Sequence, residues 1–415
     1  MRVLWFTNTP SLASNYLNLK STGGGWIESL EAELTKDPSI QLGICFNVHN
    51  SHDKKFVLNK TSYFPVNIKL PKNRFIKVIA RWKHSIQHEN NIQAYLKIIE
   101  EFKPDIINIF GTESSFGLII SKTTVPCIIH IQGNLNIYNH KFYSGLSVNE
   151  VLRYSKKSQL LLGYGFYHDY YINKKAATRE REIFHECKYF MGRTNWDKRI
   201  SSVFSPNSKY FHCEEIMRPA FYLHQWKAQQ RQNEYIILST IRKNIYKGLE
   251  TIYESCKIIK EENSKFKITW KIAGIGEKDE ISYILKKKYK FKENEIHLLG
   301  TLQENDLIQE MLNADLFLHP SHIDNSPNSI CEAMLLGMPI IATFAGGIPS
   351  ILGDKKEGLL FQDGDPYSLA GAIIELIENR DFTNNLAINA RQRALNRHDP
   401  GKIKNNLLQI YSSII

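Results

Sequence analysis

Short, mostly apolar runs recur along the chain at residues 3–7, 106–110, 127–131 and 188–191, then at 235–239, 268–273, 296–299, 315–319 and 338–344. Such runs predict strands covered on both faces, as in a parallel sheet flanked by helices. Between them, residues 27–34, 249–259, 365–396 and 403–415 carry helical spacing, so the chain reads as α/β. A change of composition over residues 219–232 marks a linker between two such halves. Residues 164–171 are dense in aromatics and 174–181 are basic, which predicts a helical connection late in the first half.

One stretch fits two structures. In residues 70–84, Phe75, Val78, Ile79 and Trp82 fall at i, i+3, i+4 and i+7, with Arg74, Lys77 and Arg81 on another face. That is the layout of a helix lying in a membrane interface. A surface helix with its apolar stripe on the core has the same pattern, and the sequence leaves both readings open.

Composition narrows the class. With 415 residues the chain has room for two or three domains. Hydrophobic content of 42% and aromatic content of 11% are those of a folded soluble protein. No apolar run approaches the ~18 residues that span a bilayer. The strand-like start is followed by no longer apolar region, so no signal peptide is expected. Six cysteines lie scattered without CxxC pairing, as reduced thiols of a cytoplasmic protein would. His185, Cys187, His212 and Cys213 match no metal-site spacing, so no metal is expected. Charge is uneven: up to Phe211 there are 28 Lys and Arg against 16 Asp and Glu, while the whole chain carries +11. All the excess basicity therefore lies in the first half, where it suits anionic lipid or a diphosphate-linked acceptor. No nucleic-acid motif accompanies it.

Residues 314–352 hold the densest chemistry. A buried strand at 315–319 leads into a loop with His322, Asp324, Asn325, Ser326 and Asn328. Ser326-Pro327 reads as an N-cap followed by proline at the first helical position, and Gly337 with Pro339 ends that helix. A helix start at a strand end offers unpaired N–H groups and partial positive charge to a phosphate. Glu332, one and a half turns further in, is placed to accept two hydrogen bonds from a vicinal diol such as a ribose.

Four other loops carry candidates. Three glycines in Thr22-Gly23-Gly24-Gly25-Trp26 permit close backbone approach and leave N–H groups for an anion, without a Walker sequence. Arg242 and Lys247-Gly248 follow strand 235–239, and two cations there suit a diphosphate. Gly274-Ile275-Gly276 follows strand 268–273, and Gly300-Thr301-Leu302 follows strand 296–299. His130 lies within strand 127–131, where structural and functional readings are balanced. Glu113 sits at a similar strand edge, and Arg193 suits either a ligand-facing position or a salt bridge to Asp197.

Pro320-Ser321, Asp324, Pro327-Asn328 and Glu332-Ala333-Met334, followed by Gly337-Met-Pro-Ile-Ile-Ala and Gly346-Gly347, resemble the donor signature of family 4 glycosyltransferases. The chain departs from that pattern at the first acid, which is Asp324 in place of Glu. The resemblance implies a GT-B fold: two facing Rossmann-like domains, 1–218 for acceptor and 219–398 for donor, with a cleft between them. It also implies a C-terminal helix, 399–415, crossing back to the first domain. The implied reaction moves a sugar from a UDP- or GDP-sugar to a hydroxyl, with retention, no metal and no cofactor beyond the nucleotide-sugar itself. The family pattern gives Lys247, Arg242, Asp324 and His130 catalytic positions. It gives Gly24, Gly25, Gly274, Gly276, Thr301, Leu302, Asn325, Ser326, Pro327, Asn328 and Glu332 donor-binding positions. The implied acceptor is a glycan or lipid-diphosphate-linked glycan of bacterial capsule, O-antigen or exopolysaccharide synthesis. A cytoplasmic protein touching the inner face of an anionic membrane through its basic half fits that role. A catalytically silent sugar-nucleotide-binding subunit and a GT-B epimerase are the competing classes.

Overall fold

The computed structural model describes residues 1–17, 25–49, 54–68, 73–84, 91–229, 231, 233–263, 265–289 and 296–415. These form two compact units, each built on one sheet. Residues 1–139, 171–217 and 398–415 make the first, and residues 140–170 and 218–397 the second. The sequence placed residues 140–170 with the first half, whereas they pack within the second unit. Lys288 pairs with Glu150 at 3.0 Å, and the Ser155 hydroxyl donates to Glu280 at 2.9 Å. These are side-chain contacts between segments far apart in sequence, to which a periodicity reading is blind.

The first sheet has the described strands β1 (Arg2–Thr7), β2 (Gln41–His49), β3 (Phe56–Leu58), β4 (Thr61–Ile68), β5 (Ile106–Phe110), β6 (Cys127–His130), β7 (Tyr189–Gly192) and β8 (Lys209–His212). Their order is β3-β4-β2-β1-β5-β6-β7-β8, and the pairing is parallel except where β3 meets β4. β1 lies centrally, with Trp5 opposite Ile44 on one side and Asn108 on the other. On one face Leu4, Phe6, Ile107 and Ile109 pack with Tyr95 and Ile99 of the helix Ile92–Phe102, and with Ile183 and Phe184 of the helix Phe166–Glu186. The C-terminal helix Pro400–Ser412 belongs to this unit: the Trp5 indole N–H donates to the Tyr411 hydroxyl at 3.1 Å, and Asn406 donates to the His212 carbonyl at 2.9 Å.

The second sheet has β9 (Glu234–Thr240), β10 (Lys267–Ala273), β11 (Ile296–Gly300), β12 (Leu316–His319), β13 (Ile340–Thr343) and β14 (Leu359–Phe361), ordered β11-β10-β9-β12-β13-β14 with parallel pairing. Its central strands are buried on both faces, which explains their largely apolar sequence. Succession runs outward from β9 to β11 and then returns to β12. The crevice beyond the carboxyl ends of β9 and β12 is therefore a topological switch point, where open α/β sheets bind ligands. The stretch read as linker contains a short helix, Ala220–Leu223, and residues 365–396 divide into the helices Pro366–Glu378 and Arg380–Arg397. Among the described residues no helix is long and apolar enough to cross a membrane. All six cysteines are buried and unbonded to one another.

Candidate functional site

Three loops meet at the carboxyl ends of β9, β12 and β13. Gly248 closes the turn after β9 at φ +76°, and a Cβ there would lie 2.0 Å from the Pro320 carbonyl oxygen. Only glycine satisfies both the left-handed backbone and that approach. The His322 N–H donates to the Tyr246 carbonyl at 2.9 Å, and the Thr343 hydroxyl to the Ser321 carbonyl at 2.6 Å. From β13, the Gly347 N–H donates to the Asp324 carbonyl at 2.9 Å, while a Cβ on Gly346 would lie 2.0 Å from that same oxygen. Backbone contacts thus fix Lys247, Asp324 and the following helix start as one unit.

Within it, the Lys247 ammonium lies 2.6 Å from Asp324 Oδ2, and His319 Nε2 reaches the same oxygen at 3.1 Å. Asp324 Oδ1 accepts the Asn325 N–H at 3.0 Å. Burial opposes ionisation of Asp324, but the Lys247 charge and the His319 hydrogen bond prevail and hold the carboxyl well below the usual range. His319 is pushed down by burial, against the pull of Asp324, so it is a neutral imidazole donating from Nε2, with Ser329 Oγ 3.5 Å from Nδ1. The result is a largely shielded cation held by an acid that is charged at neutral pH.

The helix after this loop is Asn328–Leu336, one residue later than the sequence predicted. Pro327 occupies the cap position with extended backbone and no side-chain cap bond, so Ser326 is not the N-cap. The physical reason is that proline lacks the N–H, and its carbonyl, not that of Ser326, accepts the first helical bond from Ile330 at 3.0 Å. Asn325 and Ser326 are buried in the loop itself. Glu332 is buried on the helix and meets Arg218, whose Nε and Nη2 both lie 2.8 Å from Oε1. Arg218 also reaches Glu304 at 3.3 Å. Burial pushes the Glu332 carboxyl up, and Arg218 opposes it.

The remaining predicted residues fall on both units. Gly274 (φ +93°) has no room for a Cβ beside the Ile241 carbonyl, while the Gly276 N–H donates to Asp279 at 2.8 Å. Thr301 and Leu302 follow β11, whose Gly300 carbonyl accepts from Gly274 at 2.7 Å. Arg242 is exposed on the loop that carries Lys247. Gly24 lies outside the described residues, and Gly25 is the first residue of the helix Gly25–Leu34 in the first unit.

His130 is also in the first unit, packed on Trp26 and Phe110 at ring distances of 5.1 and 5.4 Å. Burial, with Arg193 adding to it, pushes its pKa down to about 3, so the imidazole is neutral. The Arg193 guanidinium pairs with Glu215 at 3.5 Å and donates to the Gln132 carbonyl at 3.2 Å. Asp197 instead accepts the Arg193 backbone N–H at 3.0 Å, a capping contact in place of the salt bridge that is one of the two sequence readings. Burial and the nearby Glu180 push Glu113 up to about 7.

Sequence reasoning missed Arg218 and the pairing role of His319. Each had a faint signal: a cation directly before the linker, and a polar residue ending an apolar strand. His322, read only as a loop residue, is held between Glu250 at 2.6 Å and Asp363 at 3.3 Å.

Residues 223–393 match the family described as glycosyl transferases group 1. A Campylobacter jejuni N,N'-diacetylbacillosaminyl-diphospho-undecaprenol alpha-1,3-N-acetylgalactosaminyltransferase is 24% identical over 327 residues, 77% of this chain and 80% of that protein. The amylovoran biosynthesis glycosyltransferase AmsK of Erwinia amylovora is 29% identical over 148 residues, about a third of either chain (34% and 35%). Among solved structures, Anabaena Alr3699/HepE in complex with UDP and glucose superposes over 100% of both chains with a TM-score of 0.64 at 16% identity, a likeness of fold.

Proposed function

The chain belongs to the group 1 glycosyltransferases, with the GT-B fold, and from that premise we propose that it moves a hexose from a UDP- or GDP-sugar to a hydroxyl of a lipid-diphosphate-linked glycan. Among its relatives, one transfers a sugar to a diphospho-undecaprenol-linked saccharide and another serves amylovoran biosynthesis. Capsule, O-antigen or exopolysaccharide assembly, on the cytoplasmic face of a membrane, is the setting proposed here.

The observation that carries this reading is the Lys247–Asp324 pair at the switch point, beside the start of the helix Asn328–Leu336. Lys247 and the helix N–H groups supply positive charge for a leaving diphosphate, which lowers the barrier by stabilising charge as it develops. No metal is needed in this scheme. Glu332 accepts from the ribose diol, and Arg218 offsets part of the burial that pushes its carboxyl up. Asp324 is engaged by Lys247, His319 and its own loop, so it acts as the positioning residue for the cation. Departure of the diphosphate and approach of the acceptor hydroxyl from the same side, its proton passing to the leaving phosphate oxygen, give retention at the anomeric carbon.

The experiment is nucleotide release from UDP- and GDP-sugars with and without a lipid-diphosphate-linked glycan. Release that depends on the acceptor supports the proposal, and release from no donor in its presence would sink it.

A further inference from the structure

The helix Arg74–Trp82 of the first unit is built the wrong way round for a water-soluble surface. A surface helix ordinarily buries its apolar stripe and turns its charges outward. Here no residue of the helix is buried, and Phe75, Ile76, Ile79 and Trp82 are 80%, 53%, 53% and 48% exposed. Lys77 and Arg81 are on the half-buried side instead. The helix is nevertheless well anchored. Asn73 caps its start, accepting from the Phe75 N–H at 2.8 Å, and Lys175 donates to the Lys83 carbonyl at 2.5 Å at its end. The His84 ring stacks on Tyr171 at 5.1 Å.

The surroundings of the patch select its occupant. Arg74, Lys83, Lys174 and Lys175 are exposed around it, and the helix contains no acid. Apolar side chains projecting from a cationic collar match an anionic lipid surface, with the hydrocarbon taking the rings and the headgroups taking the charges. A second copy of the chain fits poorly, because like collars repel. A nine-residue helix also offers far less than the roughly 800 Å² per partner of a stable interface.

We propose that this helix docks the protein on an anionic bilayer, with Phe75, Ile76, Ile79 and Trp82 inserted at the interface. The site deepens the proposed function, since a lipid-linked acceptor lies in such a surface. Its evidence does not depend on sugar transfer.

The test is co-sedimentation of the full chain with vesicles of phosphatidylcholine alone and with about 30% phosphatidylglycerol, without donor or acceptor. Binding to the anionic vesicles is expected to fall at least roughly tenfold in the double variant Phe75→Ser/Ile79→Ser. Arg74→Glu/Lys83→Glu should lower both the affinity and its salt dependence. Melting temperatures should stay at the wild-type value, because none of these side chains is buried. Equal binding by the variants, no binding to anionic vesicles, or a dimer in sedimentation that Phe75→Ser/Ile79→Ser dissolves would each overturn the proposal. Because the vesicles carry no substrate, an enzyme that failed to transfer sugar would leave this result intact.

Discussion

The Lys247 ammonium and the Asp324 carboxylate stand 2.6 Å apart in a site where each is largely shielded from water. Removing Lys247 leaves the shielded Asp324 charge with no cation, held only by the His319 and Asn325 hydrogen bonds. Lys247→Ala should therefore cost about 3–5 kcal/mol of stability, the usual penalty for breaking a buried pair. Turnover at saturating donor should fall more than roughly tenfold, about 1.4 kcal/mol in barrier. Urea titration and steady-state nucleotide release measure the two effects separately, and a variant of unchanged stability would show that the pair is not formed in solution.

The same pair sets an acid limb. The Asp324 pKa is depressed in the folded state, so its contribution is fully present above the unfolded value of about 3.9 and is lost as pH falls below it. Wild type should lose stability more steeply below about pH 4 than Asp324→Asn does. Parallel curves for the two proteins would contradict this.

His322 acts in the opposite sense. Burial disfavours its charge, but Glu250 and Asp363 outweigh burial and raise its pKa above the usual value. Lys141 lies 3.6 Å from Asp363 and shares its charge. The stabilisation is complete below about pH 6.5 and declines as pH rises through the folded value. His322→Gln should remove that decline, measured as urea midpoints across neutral pH.

Two glycines separate backbone need from mere tolerance. Gly248→Ala puts a Cβ 2.0 Å from the Pro320 carbonyl at a positive φ, so it should lower the melting temperature and abolish nucleotide binding. Gly371, within the helix Pro366–Glu378, faces open space where a Cβ would stand, and Gly371→Ala should stabilise by about 0.5–1 kcal/mol. Thermal melts of the two variants check the opposite signs.

What the sequence made legible followed from local rules. The buried strands read as apolar runs, and the Gly337 stop is a left-handed cap at φ +75° as its position implied. The cluster of Lys247, Asp324 and the helix start also lay within reach, because loops at successive strand ends converge in a doubly wound sheet. Other features depended on contacts between distant segments. Arg193 chose Glu215, 22 positions on by sequence number, over Asp197, and Arg218 reaches Glu332 across most of a unit's sequence. The helix Arg74–Trp82 had a pattern equally suited to core or lipid, and the exposure of its apolar side chains could not be read from that pattern.

Arg218 gives the donor site a pH signature. Burial raises the Glu332 pKa and Arg218 restrains it, so Arg218→Ala should push it higher. Nucleotide affinity should then weaken toward acidic pH, beginning at a higher pH than in wild type. Calorimetric titrations at several pH values check the shift, and an unshifted limb would remove Arg218 from the proposal.

The decisive titration is calorimetric binding of UDP, GDP and ADP to wild type and to Glu332→Ala. One nucleotide should bind wild type, and the variant should bind it at least roughly tenfold more weakly, as expected for lost hydrogen bonds to a charged group. Equal binding by both proteins, or no binding of any nucleotide by wild type, would contradict a donor site built on Glu332, Lys247 and the helix Asn328–Leu336.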